Sequence, residues 1–264
     1  MRRVGRRATT YAARIALVAC VSLVGLAGCG DKAGTPATSG RTGSRGGRES
    51  APLESTTAAV PGATGNSIAV APPDRSGAPK GLFIGTSLTA GLGLADPETE
   101  SWPAVIQRLA DSARVPLDVV NAGLSGETSA GAVRRADWLF RERFDLILIE
   151  TGANDGLRGV NQDSTAANIR AIVAKARATN PQAKVLLAQM EAPTNMGPRY
   201  TRAFHDLFPR VARETGVTLL PFLLDGVGGI AKYNQSDGIH PTAEGARMVA
   251  RNVWPGIRAA LRQP

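Results

Sequence analysis

The sequence predicts one α/β domain, a three-layer α/β/α sandwich around a central parallel five-stranded sheet, and three observations carry that expectation. Five short apolar runs are spaced along the chain, and amphipathic helical periodicities fall between them. The 186 residues from Pro79 to Pro264 suffice for one hydrophobic core but hardly for two. Strand and helix in alternation imply parallel pairing, with helices on both faces of the sheet.

The runs are GLFIG at 81–85, LDVVN at 117–121, LILIE at 146–150, KVLLAQ at 184–189 and VTLL at 217–220. The middle ones are nearly continuous in apolar side chains, as a strand covered on both faces requires. Between them, Trp102, Val105, Ile106 and Leu109 repeat at i, i+3, i+4 and i+7. Ile169, Ile172, Val173 and Ala176 do the same, as do Phe204, Leu207, Phe208 and Val211, and Ala246, Val249, Ala250 and Val253. That spacing lays one apolar stripe along each helix. There is no internal repeat. In open sheets of this kind a ligand sits beyond the carboxyl ends of the strands, so the residues just after each strand are the first candidates for chemistry.

The chain ahead of the domain reads differently. Arg2, Arg3, Arg6, Arg7 and Arg14 precede an apolar stretch at 15–28 that is too short to cross a bilayer as a mature helix but suits a secretory signal. It ends in LAGC, and Leu26-Ala27-Gly28-Cys29 resembles the bacterial lipobox. The resemblance implies acylation of Cys29, loss of residues 1–28 and a lipid anchor on the periplasmic side of the inner or outer membrane. Each buried methylene of such an anchor contributes about 0.8 kcal/mol. Cys20, the only other cysteine, leaves with the leader, so the exported domain has no thiol for a disulfide, a metal site or a nucleophile. A covalent catalyst must then be a hydroxyl. The formal charge of +9 falls to +4 once the five leader arginines are gone, and with no aromatic-basic interleaving and no nucleic-acid motif the excess reads as a solvated surface near anionic lipid rather than a nucleic-acid footprint. Residues 30–78 are Gly, Ser, Thr, Ala and Pro with few large apolar side chains, which predicts a disordered tether with a reach of roughly 35 to 40 Å.

Four loops carry the candidate site. GTSLTAG at 85–91 follows the first run and places Ser87 two residues beyond it, where serine serves equally as a nucleophile or a helix N-cap. NAGLSGET at 121–128 follows the second, where Gly126 permits an unusual backbone angle or offers its N–H to an anion. TGANDGLRG at 151–159 follows the third; Asn154 and Asp155 suit an Asx turn, or the Asn154 amide suits a developing oxyanion. SDGIHP at 236–241 precedes the last helix, whose first position Pro241 is expected to take. A spacing of three lets the Asp237 carboxylate reach Nδ1 of His240 and leaves Nε2 for another partner. His205, the only other histidine, lies about 100° from its helix's apolar stripe and is expected in water. A hydroxyl, a backbone donor, an amide and an Asp-His pair converging on one edge are the parts of an acyl-transfer site.

These four blocks, in this order, resemble those of the SGNH (GDSL-type) hydrolases. GTSLTAG looks like the first block with its nucleophile at Ser87, SGET the block that supplies Gly126, GANDG the block that supplies Asn154, and DGIHP the block with Asp237 and His240. The likeness covers residues 80–261 and is nearest to the bacterial branch of multifunctional acyl-CoA thioesterases, lysophospholipases and arylesterases. It implies a flavodoxin-like fold and a serine esterase with Ser87, Asp237 and His240 as catalytic residues. The oxyanion hole would be Ser87, Gly126 and Asn154. The family's first block usually reads Gly-Asp-Ser; here Thr86 stands at the aspartate position and keeps a hydroxyl but no charge.

MEAPTNMGPRY at 190–200 is expected to border an acyl-binding groove, with Met190, Pro193 and Met196 as substrate-contacting residues and core filling the competing role for Met190. The expected partners are a small acyl ester, thioester or lysophospholipid and, through Cys29, a membrane. No nucleic acid, cofactor or metal is expected, since no His, Cys or acidic cluster has metal-ligand spacing, and a monomer is the expected state. The chain lacks the Gly-x-Ser-x-Gly elbow of ordinary α/β-hydrolases. Two other functions stay open: a non-catalytic, lipid-anchored binding lipoprotein, and a carbohydrate O-acetylesterase on the same fold.

Overall fold

A computed structural model of the chain describes residues 74–262. The leader, Cys29 and the tether as far as residue 73 lie outside the described residues. The last stretch of the expected tether, 74–78, is described: the Ala78 N–H donates to the Arg75 carbonyl, and the Arg75 guanidinium pairs with Asp111 at 2.7 Å. Packing thus begins a few residues ahead of Pro79.

Five strands, β1 (Lys80–Gly85), β2 (Asp118–Gly123), β3 (Leu146–Ile149), β4 (Lys184–Gln189) and β5 (Thr218–Phe222), form one sheet in the order β2-β1-β3-β4-β5. Every pairing is parallel. Winding runs outward from β1 in both directions, which leaves a crevice beyond the carboxyl ends of β1 and β3. Burial follows position. Leu146, Ile147, Leu148 and Ile149 of central β3 are all fully buried, whereas β2 at the edge is mostly half-exposed. Helices α3 (Trp102–Ser112) and α8 (Ala243–Arg262) pack together, and α4 (Ser129–Leu139), α6 (Gln162–Thr179) and α7 (Pro198–Thr215) pack in a second layer.

The apolar stripes make these layers. Ile169, Ile172, Val173 and Ala176 of α6 are buried, as are Phe204, Leu207, Phe208 and Val211 of α7 and Ala246, Val249, Ala250 and Val253 of α8. Each large side chain removed from water contributes about 1.5 to 3 kcal/mol. Phe83 of β1 stacks on Trp102 at the start of α3, with ring centroids 5.2 Å apart, which fixes that helix against the sheet.

Three short helices occupy loops: α1 (Ser87–Ala90) directly after β1, α2 (Pro97–Glu100), and α5 (Ala153–Leu157) after β3. α1 lies so close to the sheet that a Cβ on Gly123 would strike the backbone of Ala90, and one on Gly85 would strike Thr89. Glycine at both strand ends is what admits the helix. One expectation is corrected: Pro241 does not open α8. It forms an isolated bridge with Asn234, and the helix starts at Ala243, where the Thr242 hydroxyl accepts from the Gly245 N–H at 3.2 Å. Threonine satisfies an orphan donor of the first turn, which proline cannot do.

Candidate active site

The turn after β1 separates two roles that a serine there could combine. Thr86 is the N-cap of α1, its hydroxyl accepting from the Leu88 N–H at 3.4 Å. Ser87 is therefore freed from capping and stands as the first helical residue, nearly buried at 9% exposure. Beneath the turn lies Glu150, wholly buried just after β3. Its carboxylate accepts from the Thr86 N–H at 2.7 Å, the Thr86 hydroxyl at 3.0 Å and the Thr89 hydroxyl at 2.9 Å. Burial pushes the Glu150 carboxyl above its ordinary range, opposed by these hydrogen bonds and reinforced by the nearby charge of Glu127. Thr86 thus does structurally what its hydroxyl allows: it donates to a buried carboxyl that another carboxylate would repel.

The loop between β5 and α8 brings its histidine to this serine. His240 Nε2 lies 2.8 Å from Ser87 Oγ, across 153 positions of sequence. Its Nδ1 lies 2.5 Å from Asp237 Oδ2. The other oxygen of Asp237 accepts from the backbone N–H groups of Ile239 at 2.9 Å and His240 at 3.0 Å, so the carboxylate and the ring are held by one tight turn. Partial burial raises the Asp237 carboxyl. The hydrogen bonds from His240 and Ile239 and the His240 charge outweigh that and hold it below its ordinary range. Gln235 anchors the loop: its amide donates to the carbonyls of Leu92 at 2.8 Å and Pro241 at 3.0 Å, while its N–H donates to the His240 carbonyl at 2.8 Å. Leu92 belongs to the segment after α1, so Gln235 ties the histidine loop to the serine loop.

The remaining two blocks meet beside Ser87's loop. Gly126 has φ 76°, a left-handed angle that favours glycine. Asn154, on the first turn of α5, donates one amide hydrogen to the Glu127 carbonyl at 2.9 Å. Asp155 makes no local Asx turn. It is buried and grips the start of α4 through the Ser129 N–H at 2.8 Å and the Ser129 hydroxyl at 2.5 Å, and it accepts from Thr165 at 3.2 Å. Arg135 closes the assembly from α4, bound to both Glu127 oxygens at 2.6 and 2.7 Å and to the Ala122 carbonyl at 2.7 Å.

An apolar groove of about 350 Å³ runs alongside, walled by Leu88, Leu157, Met190, Pro193, Phe222 and Ile239. Met190 and Pro193 line this groove, and Met190 is at the same time buried in the hydrophobic core at 2% exposure, the competing role open to it. Met196 is not among the lining residues; its Cε lies over Gly159, because the single 3-10 turn at Thr194–Met196 carries it to that side. His205 is exposed, as its helical position requires, and pairs with Glu191 at 2.6 Å instead of joining the site. Among the described residues no group of three or more His, Cys, Asp or Glu is placed to hold a metal ion. Sequence reasoning missed Glu150, Gln235 and the bracing role of Asp155. Only Glu150 left a signal, as a carboxylate closing a run of otherwise buried apolar residues.

Residues 83–248 match the model of the GDSL-like Lipase/Acylhydrolase family. The chain is 42% identical over 182 residues to Esterase TesA of Pseudomonas aeruginosa, covering 68% of this chain and 88% of that protein. It is 36% identical over 170 residues to Thioesterase 1/protease 1/lysophospholipase L1 of Escherichia coli, covering 64% and 78%. A crystal structure of TesA superposes with a TM-score of 0.65 at 39% identity, covering 69% of this chain and 99% of that one.

Proposed function

The chain belongs to the GDSL-like lipase/acylhydrolase family and is a carboxylic ester hydrolase; from that premise we propose that it cleaves acyl esters and thioesters through Ser87, His240 and Asp237. The observation that carries the proposal is the 2.8 Å approach of His240 Nε2 to Ser87 Oγ with Asp237 on the opposite ring nitrogen. His240 removes the Ser87 proton as Oγ bonds to the substrate carbonyl carbon. Asp237, held ionised, fixes the tautomer and stabilises the imidazolium. The imidazolium then passes the proton to the departing alcohol or thiol, leaving an acyl-serine that water, deprotonated by the same ring, releases as the free acid.

Negative charge on the carbonyl oxygen needs donors that wait in place. The Ser87 N–H lies in the first turn of α1, where no intrahelical acceptor exists. With the Gly126 N–H and the second amide hydrogen of Asn154 it forms the oxyanion hole. The apolar groove takes the acyl chain, of medium length for a cavity of this size. The names of the relatives, Esterase TesA and Thioesterase 1/protease 1/lysophospholipase L1, support this substrate class.

Replacing Ser87 with Ala tests the proposal. Hydrolysis of p-nitrophenyl butyrate by the domain is expected to fall at least about 10⁴-fold; equal rates for parent and variant contradict it. For the N-terminal segment we infer cleavage before Cys29 and lipid anchoring of the domain at the cell envelope, supported by the LAGC sequence. Incorporation of labelled palmitate that vanishes in Cys29→Ala is the expected result, and unchanged incorporation contradicts it.

A further inference from the structure

The three donors of the oxyanion hole come from three separate segments, and those segments must be held in register with one another. Gly126 is the hardest to hold. Leu124, Ser125 and Gly126 are exposed, and a Cβ built on Gly126 would meet nothing nearer than the Arg158 guanidinium at 4.0 Å, so side-chain packing does not fix this N–H. Glu127, the next residue, is buried. Its carboxylate is gripped by Arg135 of α4, whose Nε and Nη2 donate to its two oxygens at 2.6 and 2.7 Å. The same guanidinium reaches the other segments. Nη2 donates to the Ala122 carbonyl at 2.7 Å, near the end of β2 and just ahead of the Gly126 loop. It also donates, at 3.3 Å, to the carbonyl of Gly85, which closes β1 just ahead of Thr86 and Ser87. Asn154 joins through Glu127, whose carbonyl takes one of its amide hydrogens at 2.9 Å. One side chain thus braces the backbone around all three donors.

We propose that Arg135 is a positioning residue for the reaction: acting through Glu127 and the ends of β1 and β2, it sets the spacing of the Ser87 N–H, the Gly126 N–H and the Asn154 amide around the oxyanion. The proposal rests on the esterase function above and adds to it a residue that touches no substrate. Glu127 offsets the charge of Arg135, so what the arginine supplies is geometry. A planar guanidinium binds two carboxylate oxygens and still presents an N–H to carbonyls at its edge, whereas an ammonium on a flexible stem does not fix that arrangement. Neither Arg135 nor Glu127 lines the apolar groove, so loss of the brace should spare binding of the acyl chain and strike the transition state.

The test pairs hydrolysis of p-nitrophenyl butyrate with inhibition by hexyl trifluoromethyl ketone. Ser87 Oγ bonds to the ketone carbon, the C=O π pair moves onto the oxygen in the hole, and the serine proton passes to His240. Arg135→Gln leaves Glu127 buried without its partner and puts the fold at risk. The pair is therefore also removed together, as Arg135→Met with Glu127→Met, which leaves no uncompensated charge and should keep Tm near that of the parent. In both variants kcat should fall about 100-fold with KM changed less than about threefold, and the Ki of the ketone should rise by the factor by which kcat/KM falls. Arg135→Lys should recover part of kcat yet stay about tenfold below the parent. A paired variant whose kcat lies within about threefold of the parent's overturns the assignment while the esterase function stands. A fall in kcat with unchanged Ki also overturns it, since that is what a merely structural role produces, and full activity in Arg135→Lys overturns the geometric role. A parent that neither hydrolyses the ester nor binds the ketone overturns the esterase function itself, and this assignment with it.

Discussion

The two loops that meet at the site are built on opposite principles. The serine turn is sunk into the domain: Thr86 and Thr89 are almost fully buried, and both bond the wholly buried Glu150. The histidine loop lies on the surface. The Asp237 side chain is 44% exposed, and the segment is held by its own turn, by Gln235 and by the Asn234 amide, which reaches the Val227 and Ile230 carbonyls. A nucleophile must be placed to within a fraction of an ångström, and the core supplies that rigidity. A base must also exchange protons with solvent, which a surface loop permits. The contrast teaches that damage to the first loop should register as lost fold and lost activity together, whereas damage to the second should register mainly as lost activity with a small change in stability.

The sharpest break is His240→Ala. Its kcat on p-nitrophenyl butyrate should fall at least about 10⁴-fold while the circular dichroism spectrum and Tm stay near those of the parent. A large drop in Tm would mean that the histidine loop supports the core after all. Next, Asn154→Ala should raise the barrier by about 2.7 to 4 kcal/mol, seen in kcat with KM little changed, because the donor acts on charge that develops only at the transition state.

Glu150→Ala strips the acceptor from Thr86 and Thr89 and should lower unfolding free energy by about 2 to 3 kcal/mol in urea titrations, with activity falling in step. Gln235→Ala probes the tie between the loops. About 1 kcal/mol of stability and a several-fold loss of kcat are expected, checked by the same two assays.

The smallest effect separates the loops by pH. Burial holds the Glu150 carboxyl above its ordinary 4.5, so its contribution to stability is present below that value and is lost as pH rises through the folded-state value. Asp237 runs the other way. Its folded-state value lies below 3.8, so its contribution is present above 3.8 and is lost as pH falls through the folded-state value. Profiles of Tm against pH should therefore flatten on the rising side in Glu150→Gln and on the acid side in Asp237→Asn, by about a few degrees in each case.

The parts legible in the sequence are those with local periodicity. Strand β3 was legible because a strand covered on both faces must be apolar throughout, and helices α3, α6, α7 and α8 because a buried stripe repeats every turn; α4 was not, its buried face being mostly alanine and serine. The blocks holding Ser87, Gly126, Asn154, Asp237 and His240 were legible as short patterns at strand ends. What stayed hidden depends on partners distant in sequence. Serine and threonine are both good caps, so the residue types alone leave the cap open; in the fold Thr86 caps and is held by Glu150 while Ser87 is free. Pro241 fits the first turn of a helix by type, but the bridge to Asn234 and the hydroxyl of Thr242 move the start to Ala243. Met196 was placed on the groove by its neighbours in sequence, and the 3-10 turn directs it to Gly159.

The central claim is that His240 activates Ser87, and covalent labelling tests it most directly. Treated with a fluorophosphonate and analysed by peptide mass spectrometry, the parent should take up one equivalent on Ser87. Uptake should slow by at least about 100-fold in His240→Ala and vanish in Ser87→Ala. A label on another residue, or an unchanged rate in His240→Ala, would contradict the account.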